Sequence, residues 1–411
     1  MSAPERARLK ILITAPHLDG HDVGESMTAY RLVEAMSREA DITVLCLECT
    51  HGPPLAEQLP LAEVVTWPEP AWIRKNERMR ALLKPNLFVL AAHVKRWIRG
   101  ALAEGRRFDL AHQLLPRAPR YPTPLRHFPI PYVVGSLGGA LPTPPGFAAE
   151  VATEKWYAKL RRVDPLRFAH DPWLRASYGG AEMVLGVAPY MREVLAAAPI
   201  RRFEPFLGIG LADLAPEVER TAEPGRLRML HVGRAVRTKG LRDVVRAMGM
   251  LKDLPGVTLS SIGDGEEIAI CRAEAERLGV ADRVDFLGRL PRAEIEKHYE
   301  AADALVFPSF RESMGGVLYE AMRWGLPAIT ANVGGPGYIV DESCGLLVDA
   351  RTPDQLAGDV AGAIRRLAEN PAERLALGRG ARAKMERDAL WPAKAARMLA
   401  LYEEIRTGAA R

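Results

Sequence analysis

The stretch Phe307-Pro-Ser-Phe-Arg-Glu-Ser-Met-Gly-Gly-Val-Leu-Tyr-Glu-Ala-Met-Arg-Trp-Gly-Leu-Pro327 places Glu312 and Glu320 eight positions apart across a strand-to-helix turn. Val306 and Phe307 read as the end of a buried strand, Pro308 and Ser309 break it, and 315–324 reads as a helix. At about 3.6 residues per turn, Glu320 lies roughly two turns along while Glu312 sits on the loop before the helix. Two carboxylates then face one ligand at different depths, and the free N–H groups of a helix start favour an anion.

Outward from this stretch the chain alternates short apolar runs with helical patterns, the rhythm of a doubly wound parallel sheet. In the first half the strand candidates are Leu9–Thr14, Asp41–Leu47, Leu110–His112, Pro131–Val134 and Met183–Val187. In the second they are Met229–Val232, Thr258–Ile262, Val284–Leu287, Ala304–Phe307 and Ala328–Thr330. The proline-containing tract between them, Ala198–Arg226, reads as a loop. The expectation is α/β: a Rossmann-like domain over 1–200, a second over 227–390, and a terminal helix within 391–411.

The Glu, seven residues, Glu spacing, with the following Gly-Leu-Pro327 and Gly334-Gly335, resembles the donor-site signature of retaining nucleotide-sugar glycosyltransferases of family 4. The resemblance implies the GT-B fold, two Rossmann-like doubly wound domains facing across a cleft. The first would bind acceptor and the second donor, and the last helix would cross back to the first domain. It further implies that Glu312 addresses the transferred sugar, that the loop of Met314, Gly315 and Gly316 addresses sugar or phosphate, and that Glu320 accepts hydrogen bonds from the ribose. An isolated glutamate pair would read as a solvated helix face; the strand-turn-helix context favours the site.

Val232-Gly-Arg-Ala-Val-Arg-Thr-Lys-Gly240 leaves the first strand of the second half. Its Gly233-Arg234, four residues, Lys239-Gly240 pattern is similar to the family's diphosphate-binding run. Arg234 offers a planar fork for phosphate oxygens and Lys239 a compact charge, which stabilises a leaving diphosphate as its charge grows. Arg237 and Arg242 nearby read as solvated. Ile262-Gly-Asp-Gly265 reads mainly as a tight turn. The resemblance assigns nucleobase recognition to the region of Leu290, where ordinary strand-end packing remains the alternative.

In the first half, Gly24 precedes a helix expected from about Glu25, and its lack of a Cβ would admit donor phosphates. His21 and Asp22 are open between acceptor contact and hydrogen bonding within their own loop. Leu137 stands at the approximate slot where many relatives carry a histidine, and His112 is a second candidate for that role. A retaining transfer tolerates the gap, since the leaving phosphate can accept the acceptor's proton. Tyr338 replaces a Glu that frequently follows the double glycine, a change that bears on sugar selectivity.

Length and charge bound the function. With 411 residues, 48% of them hydrophobic, two or three domains with real cores are expected, and disorder is excluded. The net charge of +5 suits a phosphorylated substrate or anionic membrane surface, and no nucleic-acid-binding signature is present. Cys46, Cys49, Cys271 and Cys344 are too scattered for a disulfide framework, and Cys46-Leu-Glu-Cys49-Thr-His51 lacks the partners of a zinc site. No apolar run of membrane-spanning length occurs, so a cytoplasmic protein is expected. The tract between Trp72 and Arg107 is basic and holds tryptophans at helical spacing, read either as a core-facing amphipathic helix or as a peripheral contact with the inner membrane face.

The expected function is transfer of a hexose-type sugar from a nucleoside diphosphate sugar, UDP- or GDP-linked, to a hydroxyl of a glycan, lipid-linked saccharide or small molecule. No cofactor and no metal enter this scheme. The alternatives are an epimerase or hydrolase on the same fold, or a degenerate partner subunit.

Overall fold

The computed structural model describes residues 8–48, 52–74, 84–151, 163–220 and 223–408. Cys49, His51 and the centre of the basic tract, 75–83, lie outside the described residues. The chain divides into two compact units: 1–140 with 160–210 and 391–411, and 141–159 with 211–390. The expected first-domain span of 1–200 therefore needs correcting, because 141–159 belongs to the second unit. The reason is visible in the packing: Phe147 is fully buried and stacks on Phe310 at 4.0 Å between ring centroids, inside the second unit's core.

The first unit is built on seven strands: β1 (Lys10–Thr14), β2 (Asp41–Leu47), β3 (Glu63–Trp67), β4 (Leu110–Gln113), β5 (Tyr132–Leu137), β6 (Met183–Gly186) and β7 (Phe203–Pro205). They lie in the order β3-β2-β1-β4-β5-β6-β7, and every pairing is parallel. Central strands such as β1 and β2 are buried after their first residue, as befits a parallel sheet covered on both faces. Helix α1 (Glu25–Met36) packs on the terminal helix α9 (Trp391–Thr407), whose Trp391, Met398, Leu401 and Tyr402 join this unit's core. Helix α2 (Asn86–Ala103) buries Leu90, Val94 and Ile98 and leaves Phe88, Arg96 and Arg99 exposed, so its described part is a core-facing amphipathic helix.

The second unit has six strands: β8 (Leu227–Val232), β9 (Val257–Ile262), β10 (Val284–Gly288), β11 (Ala304–Phe307), β12 (Ala328–Ala331) and β13 (Gly345–Val348). Their order is β10-β9-β8-β11-β12-β13, again parallel throughout. Helices α3 (Leu241–Gly249), α4 (Glu267–Leu278), α5 (Arg292–Ala301), α6 (Gly316–Met322), α7 (Pro353–Glu369) and α8 (Pro371–Asp388) connect or follow them. Both units are thus Rossmann-like and doubly wound, the fold class expected of a GT-B chain. In each, the chain winds outward in both directions from a central pair, β1/β4 and β8/β11, and ligands of such sheets bind outside the carboxyl ends at that switch point.

Three strands escaped the sequence reading: β3, β7 and β13. All three are sheet edges and only partly buried; β3 and β7 lack the continuous apolar run that marks a central strand, and β13 is a four-residue segment that opens on Gly345. The tract 198–226, read as loop, holds β7. Among the described residues, no helix is long and apolar enough to cross a membrane.

Candidate donor site at the β8/β11 switch point

At the carboxyl ends of β8 and β11 two loops meet through their backbones. Gly240 has φ 79°, and a Cβ there would sit 2.4 Å from the Pro308 carbonyl oxygen, so only glycine lets the β8 loop approach the start of the β11 loop this closely. Ser309, fully buried, donates from Oγ to the Thr238 carbonyl at 2.8 Å across the same seam. A third loop joins from β9: a Cβ on Gly263, at φ 130°, would overlap the Gly233 carbonyl oxygen at 1.8 Å. Gly233 N–H in turn donates to the Ile262 carbonyl at 3.0 Å. The run 263–265, read as a tight turn, is therefore also the surface on which the Gly233 loop rests.

The β8 loop is anchored from within. Arg237, 5% exposed, forms a two-pronged ion pair with the fully buried Asp243 at 2.6 and 2.8 Å and donates to Glu150 at 2.6 Å. Its guanidinium also lies over the rings of Phe147 and Phe310 at 5.4 and 5.1 Å. Arg242 pairs with Glu267 at 2.6 Å. The expectation that Arg237 and Arg242 are solvated is thus wrong. Two of their carboxylate partners, Glu150 and Glu267, lie 87 positions upstream of Arg237 and 25 downstream of Arg242, distances over which local spacing carries no signal; Asp243, six positions after Arg237, is the near one.

Two steps beyond Arg237, Lys239 Nζ donates to Oε2 of Glu312. The other carboxylate oxygen of Glu312 accepts from the N–H groups of Met314 at 3.1 Å and Gly315 at 3.2 Å. Burial alone would raise this carboxyl, but the Lys239 ammonium and the two amides outweigh it and hold Glu312 below the usual carboxylate range. These amides, expected to be open to a sugar or phosphate, are thus occupied by Glu312. Gly315 has φ 77°, which aims its amide back at the carboxylate before α6 begins at Gly316.

Arg234 is exposed on the same loop, with no side-chain partner among the described residues. Glu320 projects from α6 and accepts from the Tyr299 hydroxyl at 3.0 Å, while crowding by the surrounding protein raises its carboxyl above the usual range. Leu290, half-buried, follows β10, which lies beyond β9 from β8, about 10 Å away at ordinary strand spacing. Gly233, Arg234, Lys239, Glu312, Met314 and Gly315 therefore gather at the switch point, with Gly316 and Glu320 on the helix that follows and Leu290 at the far edge.

Two positioning residues had no mark in the sequence. His231, fully buried on β8, donates from Nε2 to the Lys239 carbonyl at 3.3 Å, and burial pushes its imidazole down to about 4. Tyr299, on α5, fixes Glu320. Neither lies in a recognisable spacing with the residue it supports.

In the first unit, Gly24 caps α1 at φ 71° with open space where a Cβ would stand. His21 and Asp22 are exposed; the His21 amide donates to Asp19 and Asp22 accepts from the Val23 amide, so both participate in hydrogen bonds within the loop. Leu137 is a buried residue of β5. His112 is fully enclosed: Nε2 donates to the Gly135 carbonyl at 2.5 Å and Nδ1 accepts from the Tyr402 hydroxyl at 2.5 Å. Burial pushes it to about 4, so His112 is a neutral core residue and not a catalytic base.

Residues 217–384 match the family model described as glycosyl transferases group 1. The D-inositol 3-phosphate glycosyltransferase of Segniliparus rotundus is 34% identical over 202 residues, 48% of this chain and 44% of that protein. The chain spans about half the length of the curated relatives it matches. Among solved structures, sucrose-phosphate synthase from Thermosynechococcus elongatus aligns with a TM-score of 0.59 at 21% identity, covering 98% of this chain and all of that one. Anabaena HepE in complex with UDP aligns at 0.60 and 18%, covering 96% and 100%. The two alignments share the fold over nearly the whole chain, and the segment matched by the glycosyl transferases group 1 model is the part of the second unit that carries the Lys239–Glu312 constellation.

Proposed function

We propose that this chain is a retaining glycosyltransferase that moves a hexose-type sugar from a nucleoside diphosphate sugar to an acceptor hydroxyl. The observation that carries the reading is the Lys239–Glu312 pair bridging the β8 and β11 loops at the switch point, with Arg234 exposed beside it and Glu320 on the next helix. The family match over 217–384 supports the same class of chemistry.

In this reading Arg234 and Lys239 hold the diphosphate, Glu320 takes the ribose hydroxyls, and the loop by Leu290 faces the base at the far edge. Donor binding draws Lys239 toward the phosphate and frees Glu312 and the Met314 and Gly315 amides for the sugar. As the glycosidic C–O bond breaks, negative charge grows on the leaving phosphate, where the two cations stabilise it. The acceptor hydroxyl attacks the anomeric carbon on the same face and passes its proton to that phosphate. The scheme asks for no protein base at Leu137 and no metal or cofactor. UDP- and GDP-sugars are the first donors to test. Acceptors to test are glycans, lipid-linked saccharides and small molecules, with Phe88, Arg96 and Arg99 on the outer face of α2 as the surface for any membrane-borne acceptor.

The test is a thermal-shift panel with UDP, GDP, ADP, CDP and dTDP, since a ligand at about 100 times its dissociation constant adds roughly 2.7 kcal/mol to the folded state. A selective shift with one diphosphate is expected. The absence of any shift would move the reading to a partner subunit without donor binding, and turnover of a donor sugar without an acceptor would move it to a hydrolase or epimerase.

A further inference from the structure

On the opposite edge of the second sheet, at the amino ends of β11 and β12, lies a cavity of about 320 Å³. One wall is a single face of α8, with Arg374, Leu375, Gly378, Arg379 and Arg382 at helical spacing. The facing wall is the turn of Trp324, Gly325 and Pro327 between α6 and β12, closed by Asp303 and by Glu217, Val218 and Arg220. No part of the donor constellation lines it.

The charge inside is strongly one-sided. Asp303 is neutralised, because Arg228 binds both of its carboxylate oxygens at 2.9 and 3.1 Å. Glu217 has an 85% exposed side chain and stands 3.6 Å from Arg382. Against these stand four guanidinium groups. Arg220 spends its donors on main-chain carbonyls of Tyr299, Glu300, Ala302 and Trp324. Arg374, 3% exposed, bonds the Arg226 and Leu367 carbonyls through Nη1 alone, leaving Nε and Nη2 without partners among the described residues yet not sealed from solvent. Arg382 likewise bonds the Ala215 and Arg323 carbonyls through Nη1. Arg379 is exposed at the rim with no partner among the described residues.

Arg374 thus lines the cavity with two donors that are unused among the described residues and open to an acceptor from solvent. We propose that this cavity binds a phosphate monoester, a small phosphorylated metabolite, at a site separate from the donor loops. The forked N–H groups of Arg374, Arg379 and Arg382 match the oxygens of a phosphate dianion. Trp324, Leu375 and Pro327 supply an apolar wall for the organic body of the ligand. The volume lies at the small end of the range for ligand pockets, which fits a sugar phosphate better than a macromolecular segment.

The experiment is titration calorimetry on the full chain in phosphate-free buffer, with inorganic phosphate and glucose 6-phosphate as probes. Saturable binding of glucose 6-phosphate, tighter than inorganic phosphate, is expected. Arg379→Glu should weaken it by about tenfold or more, since a charge-assisted hydrogen bond is replaced by repulsion, whereas Arg234→Ala should leave it unchanged. Arg379 has no partner among the described residues, so its variant should keep the parent's melting temperature. No saturable binding, equal or tighter binding of inorganic phosphate, or loss in Arg234→Ala with retention in Arg379→Glu would each overturn the proposal. The last of these would place the phosphate on the donor loop.

Discussion

Lys239 and Glu312, 73 positions apart in the chain, form an ion pair that ties the loop after β8 to the loop after β11. Each residue holds the other in place, and the Met314 and Gly315 amides complete the carboxylate's coordination. On the proposed reading, a donor entering this site exchanges one set of charge-assisted bonds for another.

Removing the charge of Glu312 separates binding from chemistry. Glu312→Gln should keep or tighten nucleoside diphosphate binding, because Lys239 is released, while turnover falls by about 100-fold or more, the usual cost of losing a polar group aimed at the reacting centre. Calorimetry with the diphosphate beside initial-rate measurements with the full donor checks both halves. A parallel loss in each would refute the assignment.

Arg234→Ala should weaken the diphosphate by about tenfold or more and leave the nucleoside nearly unaffected, as expected for a charge-assisted contact to phosphate. Paired titrations of diphosphate and nucleoside measure this, and equal losses would count against a phosphate role.

Arg237 is predicted to matter through stability. Arg237→Ala strips buried Asp243 of both its hydrogen-bonded contacts, leaving Arg246 at 3.7 Å as its ion-pair partner, and should cost about 3 kcal/mol in urea unfolding. The double variant Arg237→Met with Asp243→Leu should be less destabilised than the sum of the single changes, because the pair is replaced as a unit. Strict additivity would contradict the buried pair.

Gly240→Ala combines a left-handed backbone with a clash on the Pro308 carbonyl. A loss of about 1–3 kcal/mol is expected, together with weaker diphosphate binding, because the seam that presents Lys239 must open. Unchanged denaturation and binding curves would refute it.

Stability should fall on mild acidification. Burial lowers the imidazoles of His112 and His231 to about 4, while the unfolded chain titrates near 6.5. The unfolded state therefore binds the extra protons between these values. The contribution of each histidine is complete above about pH 6.5 and shrinks as pH drops toward 4. Each should cost roughly 2 kcal/mol between pH 6.5 and 5. Urea midpoints at pH 7, 6 and 5 test this, with His112→Gln and His231→Gln each expected to flatten the slope.

Local pattern reached a long way into this protein. The central strands were legible because both faces of a parallel sheet are covered, so β1, β2, β8 and β11 are dominated by apolar residues and need no knowledge of their neighbours. The edge strands β3 and β7 were not, since they mix polar and apolar residues, and neither was β13, a four-residue segment opening on Gly345. The spacing of Glu312 and Glu320 marked a candidate site because both residues sit on one strand-turn-helix unit, within reach of local geometry.

What the sequence by itself determined was the class of fold, the position of the candidate donor loops and the residue types on them, all properties set by periodicity and short-range spacing. Only the tertiary structure decided which charges meet. It paired Lys239 with Glu312, buried Arg237 against Asp243 and Glu150, enclosed His112 between Gly135 and Tyr402, and moved 141–159 into the second unit. The physical reason is that electrostatic partners and burial depend on distances in space between segments far apart in the chain, which a strand order such as β10-β9-β8-β11-β12-β13 fixes only after folding.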